Sequence, residues 1–354
     1  MKKALAPGFL HRRIIGFSLA ESEDLLELGF GPEHQREVIL SIARGVLREG
    51  ADLCYGGSLQ SDGTFTLDLI DLSSAEQREA ASPGNRASIR IGRLFNPITW
   101  PAYEQLTVAH EAQWIDCYTA VRVTREDAGI EPTQDDDAVE PPPLTPPITD
   151  DEKQAEMERQ ERERLRAERR AVHVAAVLSR MRRTQVDGFP VPAPFGRRGK
   201  KKIEAAILLG GKVTNSKGFC PGLIEEGVNA MRKGIPVFLL GGFGGATRVL
   251  TDALDSKNEI ARSKVLNDAF DRCEDSPRFD AISRGLEHCP LPEGIPSPAK
   301  LREDAGEFFK AQGGDIETTL CNGLSAAENK TLFRSTDSLE IARLILTGLR
   351  KVHG

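Results

Sequence analysis

Glycines placed at the ends of short apolar runs are the residues in this chain best suited to chemistry. RRIIGFS carries Gly16 and runs on to Ser18, Glu21 and Ser22. ADLCYGGS carries Tyr55, Gly56, Gly57 and Ser58, and AAILLGGK carries Gly210, Gly211 and Lys212. PVFLLGGFGGAT carries Gly241, Gly242, Gly244 and Gly245, with Arg248 just beyond. Glycine at such a place lets backbone N–H groups come close to a phosphate, and a following helix N-terminus adds a favourable dipole. One Gly-Gly pair is also what a plain turn needs. Four loops at one topological place point instead to a phosphate- or ribose-bearing ligand.

The side chains around these loops each carry two readings. Lys212 and Arg248 are cations beside phosphate loops, or solvated charges. Arg182 and Arg183 end a helix, where they suit its dipole or face the crevice. Glu225 and Glu226 lie one turn into a helix, as dipole partners, as acceptors for ribose hydroxyls, or as an acid. Ser18, Glu21 and Ser22 cap or line the first loop. Tyr55 stacks on a base or is buried at a strand end. Trp100 fixes a loop turn, with base stacking the lesser reading.

Known fingerprints are absent. No Gly-x-x-x-x-Gly-Lys-Ser/Thr occurs, and G-x-G-x-x-G does not read through 241–247, which disfavours a P-loop NTPase or a standard NAD dehydrogenase. The histidines (His11, His34, His110, His173, His288, His353) show no metal spacing and no Ser–His–Asp arrangement. No metal or cofactor is expected. Cys54, Cys117, Cys220, Cys273, Cys289 and Cys321 contain no C-x-x-C pair, which reads as reduced thiols in a cytosol.

The elements that must position these loops follow from the pattern. Each apolar run is short and nearly continuous, as for a strand buried on both faces of a parallel sheet. The stretches after them look helical: EHQREVILSIARGVLREG has Val38, Ile39, Ile42, Val46 and Leu47 on one face, and CPGLIEEGVNAMRKG has Pro221 near its start and Gly234 at its end. RASIRIGRLF and WIDCYTAVRV are further strand candidates, with a helical stretch between them; 255–315 reads as helical and the tail as two helices. Strand, glycine, helix, repeated, predicts an α/β Rossmann-like fold with a mostly parallel sheet and flanking helices.

Residues 126–170 interrupt that pattern. The part up to Asp150 is rich in Pro and acid and is expected to be extended or disordered. The stretch 151–170 carries seven acidic and seven basic residues. Its pairs Glu158–Arg162 and Glu161–Arg164 support a solvated helix. Val174, Val177, Leu178 and Met181 then give that helix an apolar stripe, so it is expected to begin in solvent and end docked on a core. The reading is one domain in two parts, 1–125 and 171–354, around a charged insertion. The 354 residues carry a net charge of -6, which disfavours a nucleic-acid binder. No apolar run is long enough to span a membrane, so a soluble cytoplasmic protein is expected.

Taken together, GFS-x(2)-ES, YGGSL, LGGK, PG-x-IEEG, LLGGFGGAT and NGLSAAEN resemble the SLOG superfamily. They are similar in particular to its branch associated with TIR and sirtuin domains in bacterial anti-phage defence. The resemblance covers most of the chain outside 126–170. It implies a Rossmann-like domain holding nucleotides at the strand ends and, for that branch, sensing of NAD-derived signals such as cyclic ADP-ribose isomers. The superfamily also includes the cytokinin-activating phosphoribohydrolases (LOG) and the DNA-processing DprA proteins. The phosphoribohydrolases carry P-G-G-x-G-T-x-x-E, whose glutamate serves catalysis. Here leucine replaces the proline, Gly245 stands at the threonine position, and Arg248 stands where the glutamate would be. A fixed cation cannot do a general acid's proton work but can pair with phosphate.

The expectation is therefore a nucleotide-signal sensor for an ADP-ribose-like ligand, forming a homo-oligomer or signalling to a separate effector protein. The rivals are an N-glycosidase or phosphoribohydrolase using Glu225 or Glu226, and a DprA-like binder of single-stranded DNA.

Overall fold

The computed structural model describes residues 8–59, 64–81, 92–131, 149–191 and 200–354, and of residue 152 only the backbone. The Pro- and acid-rich expectation falls largely on 132–148 and the start of the strand candidate RASIRIGRLF on 86–91, both outside the described residues.

The first half of the chain alternates strand and helix: β1 (Ile14–Ala20), α1 (Pro32–Arg48), β2 (Asp52–Tyr55), α2 (Thr66–Ala81), β3 (Leu94–Thr99), α3 (Val108–Gln113) and β4 (Tyr118–Val123). A long helix follows, α4 (Asp150–Asp187), then a small hairpin of β5 (Phe189–Pro190) and β6 (Lys200–Lys201). The alternation resumes with β7 (Ala205–Gly210), α5 (Gly222–Arg232), β8 (Val237–Leu240) and α6 (Gly245–Leu254). The rest is helical: α7 (Glu259–Glu274), α8 (Pro277–His288), α9 (Pro298–Ala311), α10 (Ile316–Leu320), α11 (Ala326–Arg334) and α12 (Ser338–His353). The stretch between β3 and β4 holds a short 3-10 turn, Ala102–Gln105, besides α3.

Six strands form one sheet in the order β4-β3-β2-β1-β7-β8, every pair parallel. The strands are nearly all apolar because both faces are covered. Ile15, Phe17, Leu19, Ile207, Leu209, Phe238 and Leu240 point into a core shared with α1, α2 and α12. Ile14, Ala206, Leu208, Val237 and Leu239 point into a second core shared with α5, α6, α7 and α9. This is the α/β Rossmann-like architecture, three layers deep. Side chains of Leu or Phe size buried this way contribute about 1.5–3 kcal/mol each.

Helix α4 runs for 38 residues. Its first half carries ion pairs such as Arg164–Glu161 at 2.5 Å and Arg159–Glu156 at 2.7 Å. From Val172 on it is buried on more than one stripe: Ala175, Ala176, Val177, Ser179, Met181 and Arg182 are all enclosed. A single amphipathic face does not suffice there, because α5 and β3 cover one side and α8 another. No helix among the described residues is long and apolar enough to cross a membrane.

Candidate functional site

The sheet reverses its winding direction between β1 and β7. Strands added after β1 lie on one side of it, and β7 and β8 on the other. In open α/β sheets the ligand crevice lies outside the carboxyl ends of the strands at such a point. Here those ends are Ala20 and Gly210, paired in register. Gly211 donates its N–H to Ala20 O at 2.9 Å, and Gln35 Nε2 donates to the same oxygen at 3.0 Å. The β8 loop joins them, since Ala246 N donates to Gly211 O at 2.9 Å.

The glycines of these loops divide by what a side chain would meet. A Cβ on Gly210 would strike Ala20 O and Gln35 Nε2, and one on Gly211 would lie 2.9 Å from Leu223. A Cβ on Gly245 would strike Gly211 O. Gly241 and Gly242 back onto Phe333 O and onto Arg334 O and Ser335 O, at the link between α11 and α12. Gly16 lies under the Ile203 side chain, Gly56 under Met181 and Gln185, and Gly57 against Tyr55 and Thr66. All these positions are small because protein packs on them. Gly244, with φ 75°, is different: the room a side chain would take is filled by the Asp24 carboxylate.

That carboxylate organises the crevice. Gly245, the first residue of α6, donates its N–H to Asp24 Oδ1 at 2.8 Å, and Ser22 Oγ donates to the same oxygen. Thr214, in the loop after β7, donates its N–H at 2.8 Å and its hydroxyl at 2.6 Å to Glu23 Oε1. A carboxylate at a helix N-terminus is worth about 0.3–1 kcal/mol when exposed and up to about 2 kcal/mol when partly buried. Beside it lies a cavity of 230 Å³ lined in part by Glu23, Asp24, Gly245, Arg248, Asp252 and Arg272. Its two guanidiniums are lightly committed: Arg248 is 3.9 Å from Asp252 and Arg272 is 3.8 Å from Glu23. A larger cavity of 340 Å³ shares Arg248 and Asp252 with it and reaches Gly241, Gly242, Phe333 and Arg334. Besides the shared Arg248, its cation Arg334 is already held by Asp255 at 2.8 Å, whereas Arg272 lines the smaller cavity alone.

The other expected residues fall elsewhere. Lys212 is exposed at the mouth of the β7 loop, and Glu21 is half-buried directly after β1. Ser58 lies half-buried beyond β2, its carbonyl accepting from Thr64 Oγ1 at 3.0 Å. Tyr55 is enclosed in the core, its hydroxyl donating to Leu19 O and accepting from Phe65 N, both at 3.3 Å. Burial pushes its phenol well above the usual range. Trp100 is buried between the guanidiniums of Arg125 and Arg170, 4.4 and 5.0 Å from its ring.

Glu225 and Glu226 meet Arg182 under the sheet end. Arg182 Nη1 donates to Glu225 Oε2 at 2.6 Å, Ser179 Oγ to Glu225 Oε1 at 2.5 Å, and Arg182 Nε lies 3.4 Å from Glu226. Gly218 and Gly222 leave room for that guanidinium. Burial raises the Glu226 carboxyl above its ordinary value, while Arg182 and a hydrogen bond from Ser18 pull it the other way. Asp24, Glu23, Thr214 and Arg272 were not singled out by sequence reasoning. Their signal was position alone, since Glu23 and Asp24 continue the Glu21–Ser22 loop. Among the described residues, no group of three or more His, Cys, Asp or Glu is placed to hold a metal ion.

A family model described as SLOG cluster2 matches residues 9–332. No curated protein matches the chain.

Proposed function

Because the chain belongs to the SLOG cluster2 family, which suggests a nucleotide-related function, we propose that it binds a nucleotide-derived ligand in the crevice between β1, β7 and α6. One observation carries this reading: a helix N-terminus at the switch point already holds an anion, Asp24, next to a cavity edged by Arg248 and Arg272. The ligand's phosphate takes the helix N-terminus and the two arginines flank it. The ligand class is ADP-ribose-like, including its cyclic isomers, and the role is sensing, in an NAD-linked stress or anti-phage pathway. The signal passes to a second copy or a separate effector protein.

The hydrolase reading has less behind it. Glu225 is locked between Arg182 and Ser179, and Arg248 stands where the phosphoribohydrolases keep their glutamate. Only Glu226, with its raised carboxyl and 14% of its side chain exposed, speaks for an acid.

The test is a calorimetric and thermal-shift series with ADP-ribose, cyclic ADP-ribose isomers, NAD, AMP, adenosine and short single-stranded DNA. A ligand that binds only the folded state raises Tm. Phosphate-bearing adenine compounds are expected to shift it, and adenosine far less. Arg248→Ala and Arg272→Ala are each expected to weaken binding by about 1.5–3 kcal/mol, the worth of a hydrogen bond to a charged group. Unchanged affinity in both folded variants would remove the site from this crevice, and release of free adenine or nicotinamide would turn the reading to hydrolysis.

A further inference from the structure

The α6 N-terminus, the phosphate position of the proposed function on which this inference rests, is already taken. Asp24 accepts from Gly245 N, and the absent side chain of Gly244 leaves the space the carboxylate fills. One residue earlier, Glu23 answers both donors of Thr214 on the β7 loop, with Arg272 near its other oxygen. Glu23 and Asp24 thus tie the loop after β1 across the crevice to both neighbouring loops, and Ser22 donates to the Asp24 carboxylate. A carboxylate there offers the helix what a phosphate would offer, an anion with acceptor oxygens.

Charge makes the two occupants exclusive. The cavity is lined by the carboxylates of Glu23, Asp24, Asp252 and Asp268 against the guanidiniums of Arg248 and Arg272. A phosphate entering beside them meets an excess of negative charge. With Glu23 and Asp24 withdrawn, the lining is balanced and the α6 N–H groups are open. We infer that Asp24 is an internal occupant of the phosphate position, and that a ligand phosphate gains the site only by expelling the Asp24 and Glu23 carboxylates.

The movement is confined to residues 21–24: beyond them Leu25 is buried in the core shared with α1, and Phe30 packs against His34 and Phe243. The exchange also selects ligands. A terminal phosphate, as in AMP, carries about −1.5 to −2 charges and three acceptor oxygens, and the internal diphosphate of an ADP-ribose spreads two charges over its free oxygens, so either outcompetes a single carboxylate. A carboxylate metabolite only replaces like with like. The device therefore favours phosphomonoesters and diphosphates, and it converts binding into movement of residues 22–24 after β1.

The test is calorimetry of the full chain with AMP, ADP-ribose and adenosine, for wild type, Asp24→Ala and Asp24→Asn, with melting recorded alongside. Asp24→Ala is expected to tighten AMP and ADP-ribose by about 5–100-fold, since a competing closed state is removed. Adenosine is expected to stay unchanged, and Asp24→Asn, which keeps an acceptor without the charge, to fall between. If Asp24→Ala does not melt cooperatively, the Asp24→Asn comparison stands in its place. A silent wild type with a binding variant supports the inference in its strongest form. Equal or weaker phosphate binding in the variants, where wild type binds, overturns it and leaves Asp24 a plain helix cap; loss of adenosine as well makes Asp24 a ribose acceptor. Silence from all three proteins towards both phosphate probes removes the site reading itself, and this inference with it.

Discussion

Arg182, Glu225 and Glu226 show how one buried cation organises two carboxylates with different consequences. Burial opposes the charge on Arg182, but Glu225 and Glu226 together hold it firmly protonated. Glu225 receives the short bonds from Arg182 and Ser179, whereas Glu226 has the longer contact and the hydrogen bond from Ser18. The Glu226 carboxyl is raised from 4.5, with burial the largest cause. A raised folded-state value favours the protonated form, so its contribution to stability is fully present below pH 4.5 and is lost as pH rises through the folded value. At pH 7 the ionised side chain is a net cost relative to a neutral one. Glu226→Gln is therefore expected to raise Tm at pH 7, with the gain shrinking as pH approaches 4.5. A Tm difference that is flat across that range would show that Glu226 ionises as freely in the fold as outside it. The sequence offered Arg182 a helix C-terminus or the crevice, and neither describes it. The glycines that make room for it, Gly218 and Gly222, lie in another segment, so no local pattern could announce the pair.

Loops and helix ends were legible in kind but not in duty. The run Gly241-Gly242-Phe243-Gly244-Gly245 reads in sequence as one ligand loop, yet its members serve different neighbours. Gly242 backs onto carbonyls, with a Cβ there 2.5 Å from Ser335 O and 2.8 Å from Arg334 O. Backbone cannot yield as a flexible side chain does. Gly242→Ala is therefore expected to cost about 1–3 kcal/mol of stability in urea unfolding, with or without ligand. An unchanged unfolding midpoint would mean that the link between α11 and α12 is free to move away. NGLSAAEN is a similar case. Ser325 and Glu328 form a capping box at the start of α11, a spacing visible in sequence. Asn322 donates to Val237 O on edge strand β8 and to Asn329 Oδ1, both at 2.8 Å. That buried amide pair ties the helical tail to the sheet, and it depends on a contact across 85 residues that no period reveals.

At the scale of the whole molecule, the repeated strand–glycine–helix pattern carried the fold class, because strands covered on both faces must be continuously apolar. Strand order was not legible, since register and neighbour choice come from pairing between distant segments. The observed order has a consequence for folding. β1 exchanges its ladder with β2 on one edge and with β7, about 190 residues later, on the other. Helix α12 packs on α1, with Ile341, Leu344, Ile345 and Leu349 joining Val38, Ile39 and Ile42 in one core. A chain severed at residue 140 would leave β1 with an open edge and α1 with its apolar face uncovered in one piece, and β7 paired only with β8 and α12 without α1 in the other. Neither piece, 1–140 or 141–354, is expected to melt cooperatively alone. Mixed, they are expected to regain one cooperative transition whose Tm rises with protein concentration, because association replaces the covalent link. Circular dichroism melts of each piece and of the mixture read this directly. Two independent transitions, each present in an isolated piece, would mean that the sheet is shared by two units that each hold a core of their own, and the crevice between β1 and β7 would then be an interface able to open as a whole.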